Sequence, residues 1–287
     1  MLAAFKWESF KLLKRPAVWV TIGILLLLAI GLGYVTFYLI YTYAPNTPNS
    51  GLPKGVKLSD FKIALYPAAF AKYTLSTWDT LGGVFALILG VLSQGSEYGW
   101  GTIKTLYTQR WGRVEMLAGK VAALCLAVLV MVLALFGVDA VSSSVIALID
   151  KQSTAFPPAI DALKAVASGW LIFTLWASFG FFLATLFRQS AMAIGLGLAY
   201  GIVVEGIVFN LLGNLGGTTV KQVESWFPFA NTGYLTQSFG AAVPPTLART
   251  ISKPIADANH AVLVLSIYIV VFMVGSALLV RSRDVSS

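Results

Sequence analysis

Cysteine and histidine are almost absent from this sequence of 287 residues. Cys125 is the single cysteine, so an intrachain disulfide and a thiolate metal cluster are both excluded. His260 is the single histidine and has no cysteine near it, which does not indicate a metal site. The serines at 142–144 have no accompanying histidine and aspartate, so the sequence does not predict a hydrolytic triad either.

A phosphate-binding loop is also missing. The pattern requires a lysine followed by serine or threonine, with glycines one and six positions before the lysine. In the nearest candidate, Lys120 is followed by Val121, and Val114 stands where the first glycine belongs. Any ATP hydrolysis linked to this protein is therefore expected on another chain.

Charged residues are scarce, at 11% of the chain, whereas 57% of the residues are hydrophobic and the mean hydropathy is +0.80. Soluble domains carry about a quarter charged residues. Several apolar runs exceed the ~18 residues that mark a bilayer-spanning helix. Long runs without alternation favour helices over a barrel, so we predict an all-α integral membrane protein. The net charge of +8 is scattered between these runs, and no nucleic-acid partner is expected.

Six apolar runs predict six transmembrane helices in a single transmembrane domain, residues 1–287. The expected spans are 17–43, 73–92, 121–149, 167–187, 191–212 and 260–280. Residues 1–15 mix apolar side chains with lysines, which is typical of an amphipathic helix at the membrane interface. A polar loop is expected at 93–120, and an aromatic segment broken by prolines at 213–259. The first run is too long for a cleavable signal peptide.

The distribution of lysine and arginine predicts the orientation of the chain. If the N-terminus is inside, the density of basic residues near span ends is about twofold higher on the inner side. An even number of spans returns the chain to its starting side. We therefore expect both termini in the cytoplasm.

The inner loop after the second predicted span contains the most informative motif. Thr102 can cap a short helix that carries Ile103, Leu106 and Tyr107 on one side and Lys104 on another. The loop resembles that of the type-2 family of ABC transporter permeases, in which Glu-x-x-x-Gly-Thr-apolar-basic-x-Leu leads through an arginine to a lysine opening the third span. The matching positions are Glu97, Gly101, Thr102, Ile103, Lys104, Leu106, Arg113, Gly119 and Lys120. The chain departs from the pattern in lacking a proline before the arginine.

The resemblance implies a function as well as a layout. It implies the membrane subunit of an ATP-driven exporter in the plasma membrane of a bacterium or archaeon, moving a hydrophobic or amphipathic substrate. The permease would form a homodimer or pair with a related permease and bind a cytoplasmic ATP-binding subunit. ATP and Mg would be bound by that subunit, with no cofactor on this chain. The 213–259 segment would form re-entrant outer helices. The inner helix would couple to the ATPase through Glu97, Gly101, Thr102, Ile103, Lys104, Leu106, Tyr107 and Arg113; the alternative is a plain basic cytoplasmic loop.

Three acids fall within predicted spans, where a charge costs about 3 kcal/mol near the bilayer centre. Glu205 is the deepest, and it either lines a cavity or has a buried hydrogen-bonded partner. Asp139 and Asp79 lie toward the outer ends of their spans, where they either line the same cavity or are hydrated at the interface. These acids support a competing hypothesis, an ion-coupled secondary transporter; an integral membrane enzyme ranks behind both.

Small residues at four-residue spacing form two ladders that let helices approach closely. We expect them to pack within the chain and not at a dimer seam. Their members are Gly82, Ala86 and Gly90, and Ala193, Gly197 and Gly201.

Overall fold

The computed structural model describes residues 2–43, 57–99, 113–208, 211–212, 220, 222–240 and 256–282. Every regular element within these ranges is a helix. In chain order they are α1 (Leu2–Lys14), α2 (Pro16–Tyr43), α3 (Phe70–Gly99), α4 (Arg113–Ile149), α5 (Ala159–Phe187), α6 (Ser190–Leu198), α7 (Pro228–Ser238) and α8 (Ala258–Ser282). Short 3₁₀ turns over Leu58–Leu65 and Pro67–Ala69 lead into α3.

Five helices are long and apolar enough to cross a membrane, namely α2, α3, α4, α5 and α8. The expectation of a helical membrane protein is therefore confirmed at this level. The region of the expected fifth span begins with α6, which continues as a π-helix over Ala199–Val208. The count of six spans stays a prediction.

Helices α3 and α4 reach further than the apolar runs from which the spans were predicted. α3 continues to Gly99 and α4 begins at Arg113, so both enter the 93–120 segment. A helix does not have to end where its apolar run ends, because its backbone hydrogen bonds also form in water. Residues 100–112, which lie outside the described residues, connect the two helices.

The core is built around α3 and α5, which pack along each other over most of their length. Gly90 lies so close to α5 that a Cβ there would be 2.0 Å from the carbonyl oxygen of Ala177, and one at Gly180 would be 2.3 Å from that of Leu87. Bulky side chains fill the remaining space beside the small ones, with Trp176 against Gly83 and Gly201, and Phe173 against Gly82. Both small-residue ladders thus meet side chains of the same chain.

Helix α1 packs against the first turns of α4, where Gly119 meets the backbone of Ala4. Ala4, Glu8 and Leu12 are buried on this face. Trp7 and Phe10 are about half exposed on the opposite face. This amphipathic pattern fits a helix that lies along an interface, although its position relative to a membrane stays a prediction.

The two ends of the helical bundle differ in charge. The end formed by Arg15, Leu92, Lys120, Arg188 and Arg281 carries mainly basic side chains, and we name it the basic end. At the opposite end, lysines alternate with acids along the helix starts and connections. The charged residues described there include Lys57, Asp60, Lys62, Lys72, Asp150, Lys151, Asp161, Lys164, Glu224 and Asp257.

Candidate functional site

The residues expected to couple to an ATPase fall mainly outside the described part of the chain. Gly101, Thr102, Ile103, Lys104, Leu106 and Tyr107 lie in residues 100–112. Glu97 is in the last turn of α3, and Arg113 is the first residue of α4. The structure therefore describes the two helices, α3 and α4, that flank this segment.

Those two helices are held side by side at the basic end. The Lys120 ammonium donates a hydrogen bond of 3.4 Å to the Gln94 side-chain oxygen. Both side chains are buried, with 4% of Lys120 and none of Gln94 exposed. The Arg15 guanidinium donates to the Leu92 carbonyl at 2.9 Å, which fixes the start of α2 against the same turn of α3. The two helices that flank residues 100–112 are therefore joined to each other near Gln94 and Lys120.

Glu205 binds the backbone at the start of α7. Its Oε2 accepts hydrogen bonds from the amides of Phe229 at 2.8 Å and Ala230 at 3.0 Å. The residue that precedes the helix, Phe227, has no side chain that could cap it. Glu205 supplies the missing cap, and its negative charge faces the positive end of the helix dipole. Of the two predicted roles, the geometry matches a buried hydrogen-bonded partner.

Asp139 is fully buried between α4 and α3. Its Oδ2 accepts a hydrogen bond of 2.7 Å from the Thr74 hydroxyl. Asp79 accepts a local bond of 2.6 Å from the Thr80 amide and borders a cavity of about 10 Å³. That volume holds about one water molecule. The three acids thus have separate partners, and none of them borders the cavity of about 910 Å³ at the end opposite the basic end.

Asp150 ties the first connection of the chain to the end of α4, at the end opposite the basic end. Its carboxylate accepts hydrogen bonds from the hydroxyls of Tyr38 at 2.9 Å and Tyr66 at 3.0 Å. It also forms a salt bridge of 3.3 Å with Lys62, whose ammonium lies 4.7 Å from the centre of the Tyr38 ring. No motif indicated this cluster, because its members are far apart in the sequence.

The Asp150 carboxylate stays ionised around neutral pH. Burial raises the pKa of Asp150, but the hydrogen bonds from Tyr38, Tyr66 and Lys62, with the charge of Lys62, outweigh burial and hold this pKa below its ordinary value. Burial, followed by the hydrogen bond to Asp150, raises the pKa of Tyr66 to about 12. A lowered carboxyl pKa gives stability that is present above the ordinary pKa of about 3.9 and is lost as pH falls through the lowered one.

A cavity with a volume of about 910 Å³, which we call the large cavity, lies at the same end. It is surrounded by the first turns of α3, α5 and α8 and the end of α7. Apolar side chains form most of its wall, together with three charged ones, Lys72, Lys164 and Asp161. Its size falls in the range of about 300 to 1,000 Å³ that is typical of small-molecule sites.

His260 has a structural contact at the start of α8. Its Nε2 lies 2.9 Å from the carbonyl oxygen of Ser225, and its ring packs edge-on against Trp226 at 5.0 Å. These contacts fix the start of α8 beside the chain that leads into α7.

Comparison with known proteins identifies one family. No curated protein matches the chain. The sequence profile of a family described as "Protein of unknown function (DUF2705)" matches residues 74–286. The match begins near the start of α3 and includes Glu205, Asp139, the 93–120 segment and most of the residues around the large cavity. Because it spans well over half of the sequence, the chain belongs to the DUF2705 family.

Proposed function

We propose that this protein is the membrane-spanning permease subunit of an ATP-binding cassette exporter, which moves a hydrophobic or amphipathic substrate out across the plasma membrane. ATP hydrolysis takes place on a separate cytoplasmic subunit, which binds ATP and Mg. The proposal rests on the resemblance of Glu97–Lys120 to the coupling segment of type-2 permeases. One structural observation supports it above the others, the anchored frame of Gln94, Lys120 and Arg15.

This frame has the mechanical property that coupling requires. A segment between two helices transmits a displacement only if both ends are fixed to elements that move as rigid bodies. The bonds of Lys120 with Gln94 and of Arg15 with Leu92 provide two such fixed points. A push on residues 100–112 therefore moves α3 and α4. The backbone contact of Gly90 with Ala177 carries the movement of α3 to α5.

The charge distribution supports the orientation in which the ATPase can reach this segment. Basic residues concentrate at the end where α1, α3 and α4 meet, and cytoplasmic sides are enriched in lysine and arginine. We therefore place the basic end and both termini in the cytoplasm. The Asp150 cluster and the large cavity then face outward. A homodimer, or a pair with a related permease, binds two ATPase subunits and encloses the transport path.

The competing hypothesis is an ion-coupled secondary transporter, in which buried acids bind the driving ion. Glu205 and Asp139 are the acids on which it depends. Glu205 holds the start of α7, and Asp139 accepts from Thr74. In each acid one carboxylate oxygen has a structural partner that does not require transport, and we rank this hypothesis second.

The coupling segment can be tested with a double variant, Ile103→Ala with Leu106→Ala. These apolar side chains cannot enter the bilayer without Lys104 beside them, so they need a protein groove. Removing such anchors commonly costs about 1 to 4 kcal/mol of binding. We expect the variant to lose copurification with the ATP-binding subunit, or to lose substrate-stimulated ATP hydrolysis in the reconstituted complex.

The matched control is Thr105→Ala with Thr108→Ala, which changes the same number of residues in the same segment. The control should still copurify with the ATP-binding subunit and still show substrate-stimulated ATP hydrolysis. Each variant must elute as a single species in detergent, like the unmodified protein. Wild-type copurification and stimulation in the Ile103 and Leu106 variant would refute the coupling assignment.

A further inference from the structure

The cavity at the end opposite the basic end is built by four separate helices. α3 contributes Ala71 and Lys72, α5 contributes Asp161 and Lys164, and the end of α7 contributes Leu235. The first turns of α8 close the remaining side. A space bordered by so many elements is a property of the tertiary fold and not of one surface loop. Its volume of about 910 Å³ accommodates a headgroup together with the first part of an acyl chain.

The charged side chains at this cavity have no charged or hydrogen-bonding partner in the described structure. Among the described residues, Lys72, Lys164 and Asp161 form no salt bridge and no side-chain hydrogen bond. The nearby Asp257, in contrast, is occupied as a cap, since its Oδ1 accepts the His260 amide at 2.9 Å. Two lysines against one aspartate leave a net positive charge at the wall.

Lys72 reaches across the cavity from α3 toward the end of α7. Its ammonium is 3.7 Å from the place where a Cβ of Gly240 would lie. Gly240 has a φ of +80°, a conformation that favours glycine, and its amide bonds to the Gln237 carbonyl at 2.9 Å. The lysine charge is thus positioned beside a turn of fixed geometry.

The remaining wall suits hydrocarbon. It is formed by alanine, proline, leucine, phenylalanine and valine side chains, with Ser168, Ser238 and Asn259 as its uncharged polar groups. Long apolar surface next to a pair of cations matches a molecule with a negative head and an apolar tail. A soluble anion would use the lysines but leave the apolar wall in water, and a neutral lipid would leave the lysines without a partner.

We propose that this cavity binds an anionic amphiphile through a phosphate headgroup, with Lys72 and Lys164 on the negative group and the wall of Leu235, Phe239 and Val262 on the apolar part. Asp161 lowers the affinity for the anion and pairs with an amine when the headgroup carries one. This inference rests on the proposed function and deepens it, because it names the substrate class and the place where that substrate leaves. An export substrate bound here sits at the outer end of the bundle.

The test measures lipid binding by the purified full-length protein without the ATPase subunit, using native mass spectrometry in detergent. The probe is dioleoyl phosphatidylglycerol, compared with dioleoylglycerol, which lacks the phosphate, and glycerol phosphate, which lacks the tails. We expect phosphatidylglycerol to bind more tightly than either. Each of Lys72→Gln and Lys164→Gln should weaken its binding about fivefold, as for one lysine near an anionic headgroup.

Two further variants separate a specific site from general attraction. Asp161→Asn should tighten phosphatidylglycerol binding, because it removes the one negative charge at the wall. Lys151→Gln removes an exposed lysine at the same end that does not border the cavity, and should leave binding unchanged. Should either lysine variant fail to fold, the sign of the Asp161→Asn effect decides.

Equal affinity of the unmodified protein and the two lysine variants for phosphatidylglycerol would overturn the proposal. Glycerol phosphate binding as tightly as the lipid would also overturn it, because the site would then take a soluble anion. Since the ATPase is absent, these outcomes are separate from the coupling experiment. If the protein binds the lipid but never copurifies with an ATPase, the lipid site is supported and the exporter function is contradicted.

Discussion

At the residue scale, Glu205 shows that a carboxylate in a predicted membrane span can have a structural partner. The amides of Phe229 and Ala230 would have no acceptor at the start of α7 if this side chain were apolar. Buried backbone groups without hydrogen-bond partners are costly. The acid provides the acceptor that the first amides of α7 lack. Its role is to hold the short helix against the membrane helices.

This role predicts a graded response at Glu205. Glu205→Gln keeps an oxygen for both amides and loses the attraction between charge and helix dipole, about 0.3 to 2 kcal/mol. Glu205→Ala leaves one buried and one partly buried amide unpaired, at up to about 1 to 3 kcal/mol each. We expect a small decrease in the thermal unfolding midpoint for Gln and a large one for Ala, measured in detergent by intrinsic fluorescence.

Asp161→Asn is the matched control for Glu205, because it also deletes one negative charge, whereas the Asp161 side chain forms no hydrogen bond in the described structure. Asp161 lies in the first turn of α5, so its variant should lose only the attraction to that helix dipole, about 0.3 to 1 kcal/mol. Its unfolding midpoint should therefore fall far less than that of Glu205→Ala. If Glu205→Ala unfolded at the same temperature as the control, the capping role would be wrong.

At the scale of elements, α2 and the α6 region each contain a π-helical stretch beside a polar contact. Ala29–Thr36 contains Gly33, whose carbonyl accepts the Tyr73 hydroxyl, and Ala199–Val208 contains Glu205. A π-helical turn shifts the backbone bonding pattern and re-aims side chains relative to an α-helix. These stretches therefore place polar partners that a regular α-helix would place elsewhere.

The crossing of α3 and α5 gives a prediction at the same scale. Gly90→Ala puts a Cβ 2.0 Å from the Ala177 carbonyl oxygen, so the two helices must separate. Overpacking of this kind typically costs about 1 to 3 kcal/mol. We expect a lower unfolding midpoint, together with weaker coupling of ATP hydrolysis to transport in the reconstituted complex.

Gly137→Ala, in the middle of α4, controls for the effect of replacing a helical glycine. Nothing lies within 4 Å of the added Cβ, so the change should be neutral or stabilising by up to about 1 kcal/mol. Equal midpoints for the Gly90 and Gly137 variants would show that the close approach of α3 and α5 does not limit stability.

At the scale of the whole molecule, the two differently charged ends predict the orientation in the membrane. In a Cys125→Ala background, a cysteine at exposed Ser153 should react with an impermeant thiol reagent in intact cells. One at exposed Ser282 should react only after the membrane is permeabilised. The measurement is mass labelling of the purified protein, and the reverse pattern would contradict the proposed orientation.

The class of the protein could be predicted from the sequence alone, because it depends on composition and run length. A chain with 57% hydrophobic residues and apolar runs of bilayer length has few alternatives to a set of membrane helices. The ladder of Gly82, Ala86 and Gly90 also indicated close helix packing. The coupling role of the motif between α3 and α4 stays a prediction. The apolar runs predicted which acids lie within spans.

The partners of those acids could be decided only by the tertiary structure. Glu205 meets amides 24 and 25 positions further along the chain, and Asp150 meets Tyr38 across 112 positions. The cavity with Lys72 and Lys164 likewise needs four helices brought together. Sequence periodicity describes which face of one helix is apolar, but not which helix covers it. Composition therefore determined the helical membrane class, whereas packing decided what each polar group binds.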